Sequence, residues 1–417
     1  MADNTGGSSD DIAAAQDRLG RKGLVIFLAL LSAFVPLSTD LYLPALPTMT
    51  KFFHVPEYQT NLTLILFFIF YSLATLIWGP LSDKYGRRPI LLVGLSIYAI
   101  AGGLCALSTD IYLLMLFRVV QAVGAGAASA VATAIVKDVY RGKRRESILA
   151  LVQSMVVISP AVAPVIGALL LNLTSWRGIF VTQAILGLLV IAGSVAFRET
   201  LEAGHSGSIA YTLGRLGVVL KNPAFASLLL IFSMVSITTM AFISSSSYIY
   251  QETFHQSSQV YSYYFAMYAA GLMIGPFIYV RLSARFKRVS ILNASFGVIV
   301  AGGILVWLLG GYGPWPFAIA MIPASIAVSC MRPPAVNLML DQQKGDSGSA
   351  SSLMGASFTV MGSVGMIIVS FDLGGRVETI GALNVVIGLL CGGLWLLVMR
   401  RPQGRVGGLF RLTRPPE

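Results

Sequence analysis

The sequence predicts an all-α polytopic membrane protein with twelve transmembrane helices in two six-helix bundles and both termini cytoplasmic, and three observations carry that reading. First, apolar residues make up 56% of the 417-residue chain and charged residues 11%, with a mean hydropathy of +0.77. A soluble domain of this length would have too few polar side chains to cover its surface. Second, apolar windows recur at about 20 residues, the length needed to cross roughly 30 Å of hydrocarbon. They fall at 24–44, 60–80, 89–108, 111–136, 146–171, 176–197, 223–249, 260–280, 290–310, 314–340, 347–371 and 379–399. Third, with the N-terminus placed inside, 24 of the 29 basic residues lie in cytoplasmic segments. Lys51, Arg177 and Arg376 fall in outer loops, and Arg118 and Arg332 lie within windows. This is the positive-inside asymmetry, so the net charge of +11 expresses orientation and implies no nucleic-acid partner.

The windows also set the domain organisation. Residues 1–23 are a polar tail ending in Arg21 and Lys22, without the short apolar core and small-residue cleavage site of a secretory signal, so the first helix is expected to stay attached. An N-terminal bundle over 24–197, a cytoplasmic central loop over 198–222, a C-terminal bundle over 223–399 and a basic cytoplasmic tail over 400–417 complete the division. A weak internal repeat supports two halves: GPLSDKYGRRPIL from Gly79 follows the second window, and GPFIYVRLSARFKRVSIL from Gly275 follows the eighth.

Several chemistries are excluded or left without support. Cys105, Cys330 and Cys391 sit in apolar windows without paired or metal-ligand spacing and read as small hydrophobes. His54, His205 and His255 are scattered and form no acid–base or metal constellation, so an enzyme is not expected. There is no G-x-x-x-x-G-K-[ST] loop for direct ATP coupling, and no cofactor is implied.

The residue that stands out is Asp40, an acid in the outer third of the first window, in SAFVPLSTDLYLPAL. A carboxylate at the centre of a spanning helix costs about 2.5–3.5 kcal/mol, so it is retained mainly where it binds, pairs or relays something. The alternative is an acid at the helix end that caps or faces headgroups, although the apolar run continues through Leu46. Arg118, in the fourth window, lies within about 5 Å of the same depth when both helices are counted at 1.5 Å per residue across a ~30 Å core. Pairing Asp40 with Arg118, directly or through water, would reduce the burial cost of both; the alternative for Arg118 is snorkelling to the outer headgroups.

Four stretches resemble the major facilitator superfamily. Gly79, Leu81, Ser82, Asp83, Lys84, Gly86, Arg87, Arg88 and Leu91 match its signature G-x-L-[AS]-D-[RK]-x-G-R-[RK]-x-x-L at every defined place. Gly79 would permit close helix approach, Gly86 a tight turn, and Asp83 could face a helix N-terminus. The resemblance assigns Asp83, Arg87 and Arg88 a gating role between the halves; the alternative for the two arginines is topology alone. Arg118-Val-Val-Gln121-Ala-Val-Gly124-Ala-Gly126 resembles R-x-x-Q-G-x-G-A, with Ala122 where glycine is usual. Ser159-Pro160-Ala-Val-Ala163-Pro164-Val-Ile-Gly167-Ala168 is similar to the antiporter motif G-x-x-x-G-P-x-x-G-G, with Ser159, Ala163 and Ala168 in place of glycines. Small residues and prolines there would serve close packing and a bend, or ordinary packing only. Ser38-Thr39-Asp40-Leu41-Tyr42-Leu43-Pro44-Ala45-Leu46-Pro47 resembles T-D-M-Y-L-P-A-L-P of the bicyclomycin and chloramphenicol or florfenicol exporters, a subgroup of twelve-helix drug:proton antiporters.

The resemblance covers the first five windows and implies a monomeric multi-pass protein of the bacterial inner membrane that exports drugs against protons by alternating access. Some polyspecific relatives carry a second acid where this chain has Ser32, which points to neutral or modestly polar drugs. A mostly apolar drug pocket is expected from Tyr42, Asn61, Phe67, Phe68 and Tyr71, with Tyr248, Tyr264, Met267, Tyr268 and Asn337. Arg332 before Pro333 and Pro334 marks a broken tenth helix, as a cavity charge or a gate anchor. An uptake symporter fits the signature loop equally, and a receptor is the different-class alternative.

Overall fold

A computed structural model describes residues 16, 18–201, 209–343, 347–371 and 374–400, all helix, turn or coil, with no strand among them. The expected tails lie largely outside the described residues, as does part of the central loop. The chain divides into two units, Met1–Ile209 and Ala210–Glu417. Among the described residues, twelve segments are long and apolar enough to cross a membrane.

In the first unit the opening span is a single crossing from Gly20 to Phe53 built in three pieces: α1 (Gly20–Asp40), a 3₁₀ turn (Leu43–Ala45) and α2 (Leu46–Phe53). The interruption follows from the prolines. Pro44 and Pro47 lack the N–H groups that a continuous helix would send to the carbonyls of Asp40 and Leu43. Asp40 is therefore the last residue of α1 and yet only 5% exposed, because the span continues beyond it. Both earlier alternatives are thus partly met: the acid stands at a helix end, but a buried one.

Next come α3 (Glu57–Tyr85), α4 (Arg87–Leu107), α5 (Ile111–Val139), α6 (Gly142–Leu173) and α7 (Trp176–Ala196). Most of the signature expected in a loop is helical, since α3 continues through Pro80 to Tyr85. Only Gly86 forms the turn, at φ +100°, a backbone conformation open to glycine. The central loop also contains a helix, α8 (Ile209–Leu220).

The second unit holds α9 (Pro223–Tyr248), which runs into a π-turn (Ile249–Thr253), then α10 (Ser258–Ser283), α11 (Arg288–Leu309), α12 (Pro314–Asp341), α13 (Ser347–Ser370) and α14 (Arg376–Arg400). The expected break at Pro333–Pro334 does not occur. α12 is continuous through both residues and through Pro323, because each proline removes one backbone bond while α9, α10 and α11 pack around the helix.

Each unit pairs its helices by the same scheme. The first span packs on the fifth (α1 on α6, α9 on α13), the second on the fourth (α3 on α5, α10 on α12), and the third on the fourth and the sixth (α4 on α5 and α7, α11 on α12 and α14). A shared glycine device sets the first of these pairings. A Cβ on Gly167 of α6 would collide with the backbone carbonyl of Leu41, and one on Gly365 of α13 with that of Ile237. The close approach suggested for Gly79 is not found, since a Cβ there would meet nothing within 4 Å.

Gly167→Ala should therefore destabilise the protein by about 1–3 kcal/mol, through the backbone shift that overpacking forces, whereas Gly79→Ala should change stability by less than about 1 kcal/mol. Unfolding midpoints of the two purified variants in one detergent check the contrast; equal midpoints would contradict it.

Candidate functional site

In the first unit Arg118 lies on α5 with no exposed surface. Its guanidinium carbon sits 4.1 Å from the centre of the Phe67 ring, 4.6 Å from Tyr42 and 5.7 Å from Phe180. Aromatic faces partly replace the water such a cation has lost. One nitrogen, Nη1, donates to Gln121 Oε1 at 2.7 Å, while Nε and Nη2 have no acceptor among the described residues.

The direct Asp40–Arg118 pair expected from depth is not formed. Gln121, one turn further along α5, takes the guanidinium without any helix movement, and the Thr39 hydroxyl stands 3.1 Å from Asp40 Oδ1. That hydroxyl also lies 3.2 Å from the carbonyls of Val35 and Pro36, and its one proton can serve only one of the three. The link between them runs through the chain: Tyr42, two residues beyond Asp40, supplies one of the rings against Arg118.

The hydrogen bonds continue from Arg118 across three further helices. Gln121 Nε2 donates to Gln183 Oε1 on α7 at 3.1 Å, and Gln183 Nε2 donates to the backbone carbonyl of Ser38 on α1 at 2.9 Å. The Ser38 hydroxyl meets the Tyr98 hydroxyl of α4. Gln121 and Gln183 have no exposed surface, and Ser38 and Tyr98 are 2% and 1% exposed. Gln183 and Tyr98 were missed in the sequence. A glutamine within an apolar window is the signal that could have found the first; the tyrosine reads as one more packing residue.

The signature residues form a second cluster at the other end of the unit. Buried Arg87 joins Asp83 four residues earlier, Asp138 at the end of α5 (2.8 Å) and the Ser82 hydroxyl (2.7 Å). The acid that faces the N-terminus of α4 is Glu199, not Asp83: its carboxylate accepts from the backbone N–H groups of Arg87 (3.0 Å) and Arg88 (2.9 Å). A carboxylate there answers the partial positive charge of the helix end. Arg88 in turn donates to the carbonyls of Ser194 (3.3 Å) and Val195 (2.8 Å) as α7 ends. The arginines therefore do more than set topology. Asp138 and Glu199, both missed in sequence, hold Arg87 and the Gly86 turn.

The motif on α6 stays helical through Pro160 and Pro164, with Ser159, Ala163 and Ala168 buried. The aromatic residues expected in a pocket fall into one group per unit. Tyr42 and Phe67 flank Arg118, Phe68 meets Phe67 edge-on, and Tyr71 stacks on Phe67 and donates to Ser129 at 2.9 Å. Asn61 is buried on α3 beside them in sequence. In the second unit Tyr264 stacks on Tyr250 with ring centres 4.7 Å apart, Tyr268 stacks on Phe242 at 3.9 Å, and Tyr248 lies beneath Arg376. Met267 is half-buried and Asn337 exposed. Arg332, also exposed, lies 5.7 Å from the Phe358 ring. A shallow apolar groove of about 370 Å³ between α9 and α13, lined by Leu229, Leu230, Ser233, Val360 and Met361 among others, includes none of the expected pocket residues. Among the described residues no group of His, Cys, Asp and Glu could hold a metal ion.

Comparison with known proteins agrees with this architecture. The family model described as Major Facilitator Superfamily matches residues 26–366 and 228–415. An uncharacterised MFS-type transporter YdgK of Bacillus subtilis is 29% identical over 351 residues, covering 82% of this chain and 87% of its own. The multidrug resistance protein MdtL is 32% identical in Shewanella oneidensis (66% of this chain, 70% of that one) and 28% in Citrobacter koseri (86% and 89%). Among solved structures, a bacterial homologue of the human lysosomal transporter Spinster superposes with a TM-score of 0.73 at 16% identity, covering 91% of this chain and 97% of the other. A peptide transporter, POT, gives 0.73 at 14%, covering 94% and 98%, a likeness of fold alone. With the family matched over most of its length and the helix pairing repeated in both units, the chain belongs to the major facilitator superfamily and is a non-enzymatic, multi-pass membrane transporter.

Proposed function

We propose that this transporter is a monomeric, proton-driven exporter of neutral or modestly polar drugs in a bacterial inner membrane, with both termini cytoplasmic. The observation that carries the reading is the buried Asp40 at the break of the first span, two residues before the tyrosine that lies against Arg118, an arginine whose Nε and Nη2 have no acceptor among the described residues. Similarity to multidrug resistance proteins and the resemblance of Ser38–Pro47 to the phenicol and bicyclomycin exporters support the choice of cargo.

In this reading Asp40 takes a proton in one state and releases it in the other, and the free edge of Arg118 receives the carboxylate when the proton leaves. Drug and proton then compete for states of one protein, so inward proton flow drives outward drug flow. A proton falling through 100 mV and one pH unit supplies about 3.7 kcal/mol, enough for a drug gradient of several hundred-fold. The aromatic groups around Tyr42, Phe67, Phe68 and Tyr71, and around Tyr248, Tyr264 and Tyr268, supply apolar walls for a drug. Asn61, Met267 and Asn337 are the polar and adaptable contacts in this proposal. Asp83, Arg87 and Arg88, held by Asp138 and Glu199, act as the gate with Gly79, Gly86, Gln121, Pro160, Pro164, Gly167 and Arg332.

Asp40→Asn should abolish uphill accumulation of chloramphenicol in inverted vesicles under an imposed pH difference while equilibrium binding stays within about threefold, because asparagine keeps the shape of the protonated acid. Accumulation at the wild-type level would place the proton elsewhere. Asp83→Asn should slow turnover at least about fivefold with binding unchanged, since an ion pair of the gate and not of the pocket is lost; unchanged turnover would remove Asp83 from the gate.

A further inference from the structure

At the break after Asp40 a buried side chain from another helix reaches one of the carbonyls that the helix leaves behind. When a helix stops, its last carbonyls lose their partners, and inside a membrane no water replaces them. At the end of α1 the Leu37 carbonyl still receives the N–H of Leu41, at 3.3 Å. The Ser38 carbonyl receives no backbone donor that would extend the helix; instead it accepts from Gln183 Nε2 at 2.9 Å, across 145 residues of sequence.

The other end of Gln183 is just as constrained. Arginine offers only donors, so Gln121 must turn its carbonyl oxygen toward Arg118 and its amide nitrogen away. That nitrogen donates to Gln183 Oε1, which leaves the Gln183 nitrogen facing α1. The cation on α5 thus dictates, through two amides, that a donor points at the end of the helix carrying Asp40. Every member of this hydrogen-bonded series is buried, and among the described residues Gln183 is the side chain that bonds the Ser38 carbonyl.

We propose that Gln183 is a positioning residue: it caps the broken end of α1 and holds Asp40 in register with Arg118, so that proton binding at one is felt at the other. This rests on the reading of Asp40 as the proton site, and the experiment separates the two. Gln183→Leu keeps the bulk and removes both bonds. Proteoliposomes of wild type, Gln183→Leu and Asp40→Asn are compared for uphill accumulation of chloramphenicol under a pH difference and for its downhill equilibration without one. In parallel, hydrogen–deuterium exchange is followed over residues 37–46.

The expected result for Gln183→Leu is a loss of at least about tenfold in uphill accumulation, downhill equilibration within about threefold of wild type, and exchange at residues 37–46 faster by about tenfold, as loss of a buried bond to an otherwise unpaired carbonyl requires. A purely structural role would lower both transport modes together, and that outcome overturns the proposal. Wild-type accumulation by Gln183→Leu overturns it as well. If wild type itself accumulates no chloramphenicol, the exporter reading fails for that drug and exchange alone decides: faster exchange confined to residues 37–46 upholds the capping role, and unchanged exchange overturns it.

Discussion

In hydrocarbon a backbone carbonyl cannot turn to water, and much of the first unit answers to that constraint. Two prolines follow the stop of α1 inside the span; at that stop a glutamine from α7 reaches the Ser38 carbonyl, and a glycine of α6 lets the chain beyond it lie against its neighbour. The interruption in turn sets an acid at a buried helix end, where the residues that follow can present Tyr42 to Arg118. Function, in the proposal made above, is built from a defect that the surrounding helices repair.

The ionic cluster at Gly86 applies the same logic to a turn. Two helices meet there with a single residue between them, so α4 begins with free N–H groups and α7 ends nearby with free carbonyls. Glu199 serves the first and Arg88 the second, while Arg87 ties Asp83 to Asp138. Gln16 extends the arrangement, since its amide both donates to and accepts from the backbone of Arg198. The end of α7 is thereby held by the tail on one side and by the signature on the other.

Much of this was legible in the sequence. Windows of membrane length, the charge asymmetry and a motif of nine matched positions identified the spans, and Asp40 and Arg118 drew notice because charges in apolar runs are expensive. What could not be read has a common cause. The partner of Arg118 is chosen by side-chain reach, which favours Gln121 on the same helix over a carboxylate at equal depth. Gln183, Asp138 and Glu199 act across more than fifty residues of chain, so no local pattern announces them. Proline also misled in one direction: Pro44 and Pro47 follow a helix end, whereas α1 runs through Pro36 and α12 through Pro333 and Pro334.

The glycine contacts bear on how far the two units can differ. Where the first and fifth spans meet, the surface touched by Gly167 or Gly365 is main chain, and main chain is the same whatever residue stands there. A joint of that kind places no demand on the side chains around it. On the same skeleton one unit carries an acid and an arginine, and the other a run of serines from Ser244 to Ser247.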